Sequence, residues 1–132
     1  MSLDRSTHLF LNDLPQGAKH WGAARKILNI FLRGVFYNKF LCEYYKLDCV
    51  EPWLELPLDS HVAKGLRSEK NGKLLPRWTT VIGLNHEINK KYQEFATLVA
   101  KKKGTNRVHL DIEYWRSNFI NQLRSKRTKK GA

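Results

Sequence analysis

Residues 21–46 carry the longest helical periodicity in the chain and contain no proline. Apolar residues recur there at three- and four-residue steps, which places them on one face of a helix. A second, polar stripe with the same spacing is formed by Lys26, Asn29, Arg33 and Tyr37. The pattern predicts one long helix that is mostly buried, with an inward face of Ile27, Phe31, Leu32, Val35, Phe36 and Phe40.

Two shorter segments downstream are also predicted to be helical. Pro52 and Pro57 favour an extended backbone, so a short helix is expected only from Ser60 to about Arg67. Residues 85–102 are amphipathic, and Gly104 stands where a glycine commonly ends a helix. The apolar face of this second helix is predicted to contain Ile88, Tyr92, Phe95 and Leu98.

The final helix is expected to start with Asp111 as its N-cap and to run to about Arg127. Residues 74–82 suggest a loop or a small hairpin, and no other segment alternates in the manner of a strand. The fold class predicted is therefore all-α, a compact bundle of about four to five helices. The apolar face of the final helix is predicted to be Ile112, Trp115, Phe119 and Leu123.

Length and charge limit the classes of function. The 132 residues fit a single α-helical domain, and the net charge is +12. Residues 1–100 have an excess of four positive charges, whereas residues 101–132 have an excess of eight. Such a basic end, with a tail over about residues 125–132, predicts a polyanionic partner, most simply DNA. A solubilising tail is the alternative.

Neither a membrane span nor a secretory signal is predicted. Charged residues interrupt the apolar runs long before the roughly 20 residues that a bilayer span needs, and Met1 to His8 lacks an apolar signal core. Cys42 and Cys49 have no partner pair with the spacing of a zinc site, so we expect reduced thiols. These features predict a cytoplasmic protein.

Asp59 stands where the short helix after the prolines is predicted to begin. A carboxylate at this position accepts hydrogen bonds from unpaired backbone N–H groups of the first turn, and the helix dipole favours its negative charge. Capping alone is the ordinary role of such an aspartate. The residues around it supply a second interpretation.

Two motifs carry a resemblance to a known family. The run from Asp59 to Lys64, Asp-Ser-His-Val-Ala-Lys, is similar to Val-Asp-Thr-His-Val-x-Arg. The run from Gly22 to Leu32, Gly-Ala-Ala-Arg-Lys-Ile-Leu-Asn-Ile-Phe-Leu, is similar to Gly-Val-Gly-Arg-Lys-Thr-Ala-Asn-Val-Val-Leu. Both resemble the helix-hairpin-helix DNA glycosylase superfamily, in the family's order. Residues 104–118 resemble one of its C-terminal helices more weakly.

The resemblance implies that Lys26 occupies the position of the amine nucleophile in bifunctional members, and Asp59 that of the catalytic carboxylate. Two departures stand out: Ala24 replaces the second hairpin glycine, and Lys26 and Asp59 are 33 positions apart, more than is usual. The match covers residues 20–67, and nothing matches the helices before the hairpin. It implies a helix-hairpin-helix-like element without part of the two-lobed fold, and leaves open whether another chain supplies it.

No cofactor is expected. Some members of the family bind an iron–sulfur cluster through four cysteines, and two cysteines cannot supply those ligands. His86-Glu87 lacks the second histidine of a metalloprotease motif, because position 90 is Lys90. No metal site is proposed from the scattered histidines.

Basic residues on or near the predicted helices are the candidate DNA contacts, and two tryptophans beside prolines or bases could stack on an unpaired base. Core or loop packing is the more ordinary role for Trp53 and Trp78. The candidate contacts are Arg25, Arg33, Lys64, Lys101, Lys102, Lys103, Arg124, Lys126 and Arg127.

The sequence therefore supports a leading hypothesis and two alternatives. The leading one is a DNA-binding protein that excises a damaged base, with Lys26 as nucleophile and Asp59 as carboxylate. A lysine that attacks the sugar C1′ must first lose its proton, and Asp59 could accept it or stabilise positive charge on the sugar. The alternatives are a non-catalytic DNA-binding module, in which Lys26 is an ordinary helix lysine, and a protein-interaction domain with a basic tail.

Overall fold

Six α-helices, joined by short connections, make up the architecture. The computed structural model describes the backbone of residues 2–130 and the side chains of residues 2–126. Over that range there is no β-strand, so the all-α prediction is confirmed. The helices are α1 (Leu3–Asp13), α2 (Trp21–Tyr37), α3 (Lys39–Tyr45), α4 (Ser60–Ser68), α5 (His86–Lys102) and α6 (Leu110–Lys130).

Four 3-10 segments lie between the helices, at Gln16–Ala18, Leu47–Trp53, Gly72–Leu74 and Arg107–His109. The first joins α1 to α2, which pack against each other. The third begins the stretch for which a small hairpin was one prediction, and residues 75–82 continue it as irregular chain.

The single helix predicted over residues 21–46 is wrong, because the chain breaks at Asn38. This residue has an extended backbone, with φ −81° and ψ 109°, and its side chain accepts a hydrogen bond from the Leu41 N–H at 3.0 Å. A side chain that caps a new helix competes with continuation of the old one. Asn38 therefore ends α2 and begins α3.

The helix boundaries predicted around Gly104 agree closely with the structure. Asn85 caps α5 by accepting from the Ile88 N–H at 2.9 Å. Gly104 follows the end of α5 with φ +69°, a left-handed conformation that glycine adopts without steric cost. Asp111, by contrast, is not an N-cap: α6 begins at Leu110 and extends to Lys130, so the basic run that predicted a tail is helical through that residue.

The apolar core lies between α4, α5, α6 and the extended segment before α4. Leu56 and Leu58 on that segment are almost completely buried, and a buried Gln93 side chain satisfies the segment's backbone. Gln93 accepts from the Leu56 N–H at 2.9 Å and donates to the Leu56 carbonyl at 2.8 Å. The other core residues are Val62, Ala63, Leu66, Leu75, Leu84, Tyr92, Ala96, Val99, Ala100, Leu110 and Tyr114.

The face of α2 that was predicted to be buried points outward. Its buried residues are Gly22, Ala24, Arg25 and Asn29, whereas Phe31 is 62% exposed. The prediction fails because polar partners from other elements hold Arg25 and Asn29 inside, and one helix can turn only one face inward. Ile27 and Phe40 are exposed with Phe31, while Leu32, Val35 and Phe36 are half-buried.

The apolar stripe of α6 is exposed in the same way. Ile112, Trp115, Phe119 and Leu123 are between 45% and 61% exposed, and the helix instead buries Leu110 and Tyr114. The close approach of α6 to α4 fixes this orientation, because a Cβ built at Gly65 would lie 2.5 Å from the Tyr114 ring. Across residues 2–130, every helix is too short or too polar to span a bilayer.

Candidate functional site

Asp59 is the N-cap of α4, as the sequence predicts. Its Oδ1 accepts a hydrogen bond from the Val62 N–H at 2.9 Å, and its backbone is extended. Leu56 and Leu58 anchor the preceding segment in the core, which fixes where the carboxylate stands. One oxygen is thus committed to the helix cap, and Oδ2 remains for another partner.

That partner is Lys26. Its Nζ lies 3.6 Å from Asp59 Oδ2, and the fold therefore brings together two side chains that are 33 positions apart in the sequence. The Lys26 side chain is 29% exposed and that of Asp59 is 14% exposed, so the pair is partly sheltered but open to solvent. The two residues that the motifs singled out are neighbours.

A buried polar network holds α2 in the position that makes this contact. Glu55 Oε2 accepts from Arg25 Nε at 3.0 Å, from Asn29 Nδ2 at 3.1 Å and from Asn89 Nδ2 at 3.2 Å. Glu55 precedes the buried Leu56, while Arg25 precedes Lys26, so the network fixes both sides of the pair. Sequence reasoning missed Glu55, because an isolated glutamate carries no signal of its partners.

Arg25 also ties α1 to α2. Its guanidinium hydrogen-bonds to Asp4 Oδ1 at 2.5 Å and to Thr7 Oγ1 at 2.6 Å. The hydrogen bond from Arg25 is the largest influence on Asp4 and lowers the pKa of that carboxyl. Because Arg25 is only 3% exposed and fully engaged, its predicted role as a DNA contact is wrong.

Two other predicted DNA contacts are ion-paired within the protein. Arg33 pairs with Asp111 and so joins α2 to α6. Lys103 Nζ lies 2.8 Å from Glu69 Oε1 and 2.6 Å from Glu113 Oε1. Burial acts to lower the pKa of Lys103, but the hydrogen bonds to the two carboxylates outweigh it and raise the pKa. Both cations are less available to a phosphate than their sequence positions suggest.

The remaining candidates differ in what the structure describes. Lys64, Lys101, Lys102 and Lys126 are exposed on α4, α5 and α6. Arg124 is also exposed on α6, within the same helix as Lys126. The side chain of Arg127 lies outside the described side chains.

His61 connects the start of α4 to α6. Its Nδ1 lies 2.9 Å from Asn118 Nδ2, and its ring centroid lies 4.2 Å from that of Trp115. The exposed apolar stripe of α6 therefore begins two residues along the chain from Asp59. Within the described part of the chain, no group of three or more His, Cys, Asp or Glu side chains could hold a metal ion.

A cleft of about 540 Å³ opens beside Asp59, starting at the next residue, Ser60. Its walls come from α4 and from the irregular chain that follows it. Sequence reasoning named Lys64 and Trp78 but did not place them together, because the chain between them has no regular pattern. The side chains that give the cleft its character are Ser60, Lys64, Arg67, Lys73, Arg77 and Trp78.

Comparisons with known proteins found no relative: no family model, no curated protein and no solved structure matches the chain. The resemblance to the glycosylase superfamily therefore rests on the two motifs. The Lys26 to Asp59 distance is the geometry relevant to it.

Proposed function

We propose that this protein binds DNA and excises a damaged base, with Lys26 as the nucleophile and Asp59 as the catalytic carboxylate. The observation that carries the proposal is the 3.6 Å separation of Lys26 Nζ and Asp59 Oδ2. The two motifs name these residues independently of any structure. A chance pair of surface residues 33 positions apart has no reason to meet.

The chemistry of the pair is that of a glycosylase with lyase activity. The deprotonated Lys26 amine attacks C1′ of the damaged nucleotide, the N-glycosidic bond breaks, and the base leaves with the bonding electron pair and takes up a proton. Loss of a second proton from nitrogen and opening of the sugar ring give a protein–DNA Schiff base. Asp59 is placed to accept the proton from Lys26 and to stabilise positive charge that develops on the sugar.

Borohydride trapping tests this proposal. The hydride reduces the Schiff base to a stable amine, so wild-type protein is expected to give a covalent adduct on an oligonucleotide that carries its lesion. Lys26→Gln should abolish the adduct, and Asp59→Asn should slow base release by orders of magnitude while still capping α4. A panel of lesions is needed, because exposed lysines can trap weakly on abasic DNA.

The matched control is Lys90→Gln, which removes an exposed lysine from α5. It should trap as well as wild type. If Lys26→Gln and Lys90→Gln behave alike on every lesion in the panel, Lys26 is not the nucleophile and the enzymatic proposal fails.

A second candidate, a non-catalytic DNA-binding module, is favoured by the structural work that the same two residues perform. Asp59 caps α4, and Lys26 links α2 to that cap. For such a module, binding should weaken with salt at a log–log slope near −0.9 per phosphate neutralised, with no adduct under borohydride. Salt-independent binding would contradict a nucleic-acid role of either kind.

A further inference from the structure

The cleft beside Asp59 concentrates positive charge. Lys64, Arg67, Lys73 and Arg77 all line it, and none of the described lining residues is a carboxylate. Lys64, Lys73 and Arg77 are exposed. Four like charges around one concave surface repel one another, and a low-dielectric wall strengthens their combined field. A polyanion in the cleft would relieve that repulsion.

These cations differ from most others near the candidate site. Arg25, Lys26, Arg33 and Lys103 are each paired with a carboxylate. Among residues 2–126, none of the four cations of the cleft has such a pair. Arg67 is held by the carbonyls of Leu75 and Pro76 at 2.7 and 3.0 Å, which position it without neutralising its charge.

Trp78 adds a fixed aromatic wall. Its Nε1 donates to Ser60 Oγ at 3.1 Å, and its ring meets that of Tyr92 edge-on at 5.7 Å between centroids. The indole remains partly exposed. A ring already held in place loses little conformational freedom when a base stacks on it, and such stacking tolerates any base. The cleft thus offers both phosphate-binding charge and a planar surface.

We propose that this cleft binds a DNA strand, with Lys64, Lys73 and Arg77 on its phosphates and Trp78 against an unpaired base. The inference deepens the proposed function, since it rests on DNA as the ligand and names where a strand would lie. Ser60 lines the cleft and directly follows Asp59, so a strand held there passes beside the Lys26–Asp59 pair. An anion site for free phosphate shares the charge but has no use for Trp78.

The charge is tested with two double variants of equal net charge. Lys73→Gln with Arg77→Gln removes two cations of the cleft, and Lys90→Gln with Lys91→Gln removes two exposed cations of α5. Binding of a labelled single-stranded oligonucleotide is measured from 50 to 300 mM salt, roughly the range over which counterion release dominates. The cleft variant should weaken binding about tenfold or more and reduce the salt slope by about two. The α5 variant should lose much less; equal losses would overturn the proposal.

Trp78 is tested separately, with melting temperature as a check on folding. Trp78→Phe keeps an aromatic face and should bind within about threefold of wild type, whereas Trp78→Leu should lose about tenfold, in line with stacking of one base. An oligomer of abasic sites should not distinguish the two variants. Inorganic pyrophosphate is the remaining probe: if it displaces the oligonucleotide at equal concentration, the cleft is a simple anion site and the proposal is wrong.

These outcomes are separable from those of borohydride trapping. If the cleft variants bind normally while trapping still depends on Lys26, the strand lies elsewhere and the proposed function stands. If the cleft variants lose binding but Lys26→Gln traps like wild type, the cleft is correct and the enzymatic proposal fails.

Discussion

Helices α2 and α5 have the same length of 17 residues but use their apolar residues in opposite ways. On α5, Tyr92, Ala96 and Val99 enter the core, and the pattern predicts the buried face with Leu98 as the main exception. On α2 the buried residues include Arg25 and Asn29, while Phe31 faces solvent. Apolar periodicity locates both helices, but it identifies the inward face only where no polar network competes.

The difference follows from what each helix packs against. α5 borders the apolar core, whereas α2 meets Glu55 and Asn89 through Arg25 and Asn29. A buried charge must be paired and hydrogen-bonded, so once Glu55 lies inside, its partners must come inside too. The apolar faces left outside on α2 and α6 are of a kind that often marks interaction surfaces, as the protein-interaction hypothesis expects.

The largest expected effect lies on α5. Tyr92 is fully buried and its hydroxyl donates to the Pro76 carbonyl at 2.8 Å. Tyr92→Ala should destabilise the protein by about 3–5 kcal/mol, near the upper end because a hydrogen bond is lost with the ring. Tyr92→Phe should cost about 1 kcal/mol. Urea denaturation measures both, and equal losses would mean that the ring is not a core element.

The polar network of α2 should give the next largest loss. Arg25→Ala leaves Glu55 buried with only two amide donors, and should destabilise by about 3 kcal/mol. Arg5→Ala removes a neighbouring exposed arginine and should stay within about 0.5 kcal/mol. If Arg25→Ala melts like Arg5→Ala, the network does not hold α2, and the inward polar face needs another cause.

The sequence alone predicts a good part of the fold and only one contact of the site. Caps and periodicity locate α4 and α5 nearly to the residue, because Asp59, Asn85 and Gly104 act through their own local backbone. Helix α1 was not predicted, and neither was the break at Asn38. The motifs name Lys26 and Asp59, but Glu55 and the cleft depend on long-range packing. Local patterns carry no information about such packing.

A smaller effect is expected on acidification. Glu51 Oε1 lies 2.6 Å from His109 Nε2 and 3.0 Å from Asn106 Nδ2, and these hydrogen bonds, that of His109 first, lower the pKa of Glu51. A carboxyl with a lowered folded-state pKa stabilises the protein above its unfolded value, about 4.3, and that stability is lost as pH falls through the folded pKa.

The expected loss from Glu51 is at most about 1 kcal/mol, because the side chain is partly exposed. Glu51→Gln should therefore be less stable than wild type at pH 7 and nearly equal to it at pH 2.5. Thermal melts across that range measure the difference. A constant gap between the two proteins would contradict the assignment of Glu51.

The smallest effect should come from the residue that the sequence pattern ranks among the most important. If Phe31 were buried, as its periodicity predicts, Phe31→Ala would cost about 3–5 kcal/mol. At 62% exposure it should cost less than about 1 kcal/mol in the monomer. Urea denaturation is compared with Tyr92→Ala, at two protein concentrations tenfold apart. A loss near 3 kcal/mol at both concentrations would show that α2 turns its apolar face inward, and the contrast with α5 would disappear. A loss that grows with concentration would instead show that self-association covers Phe31.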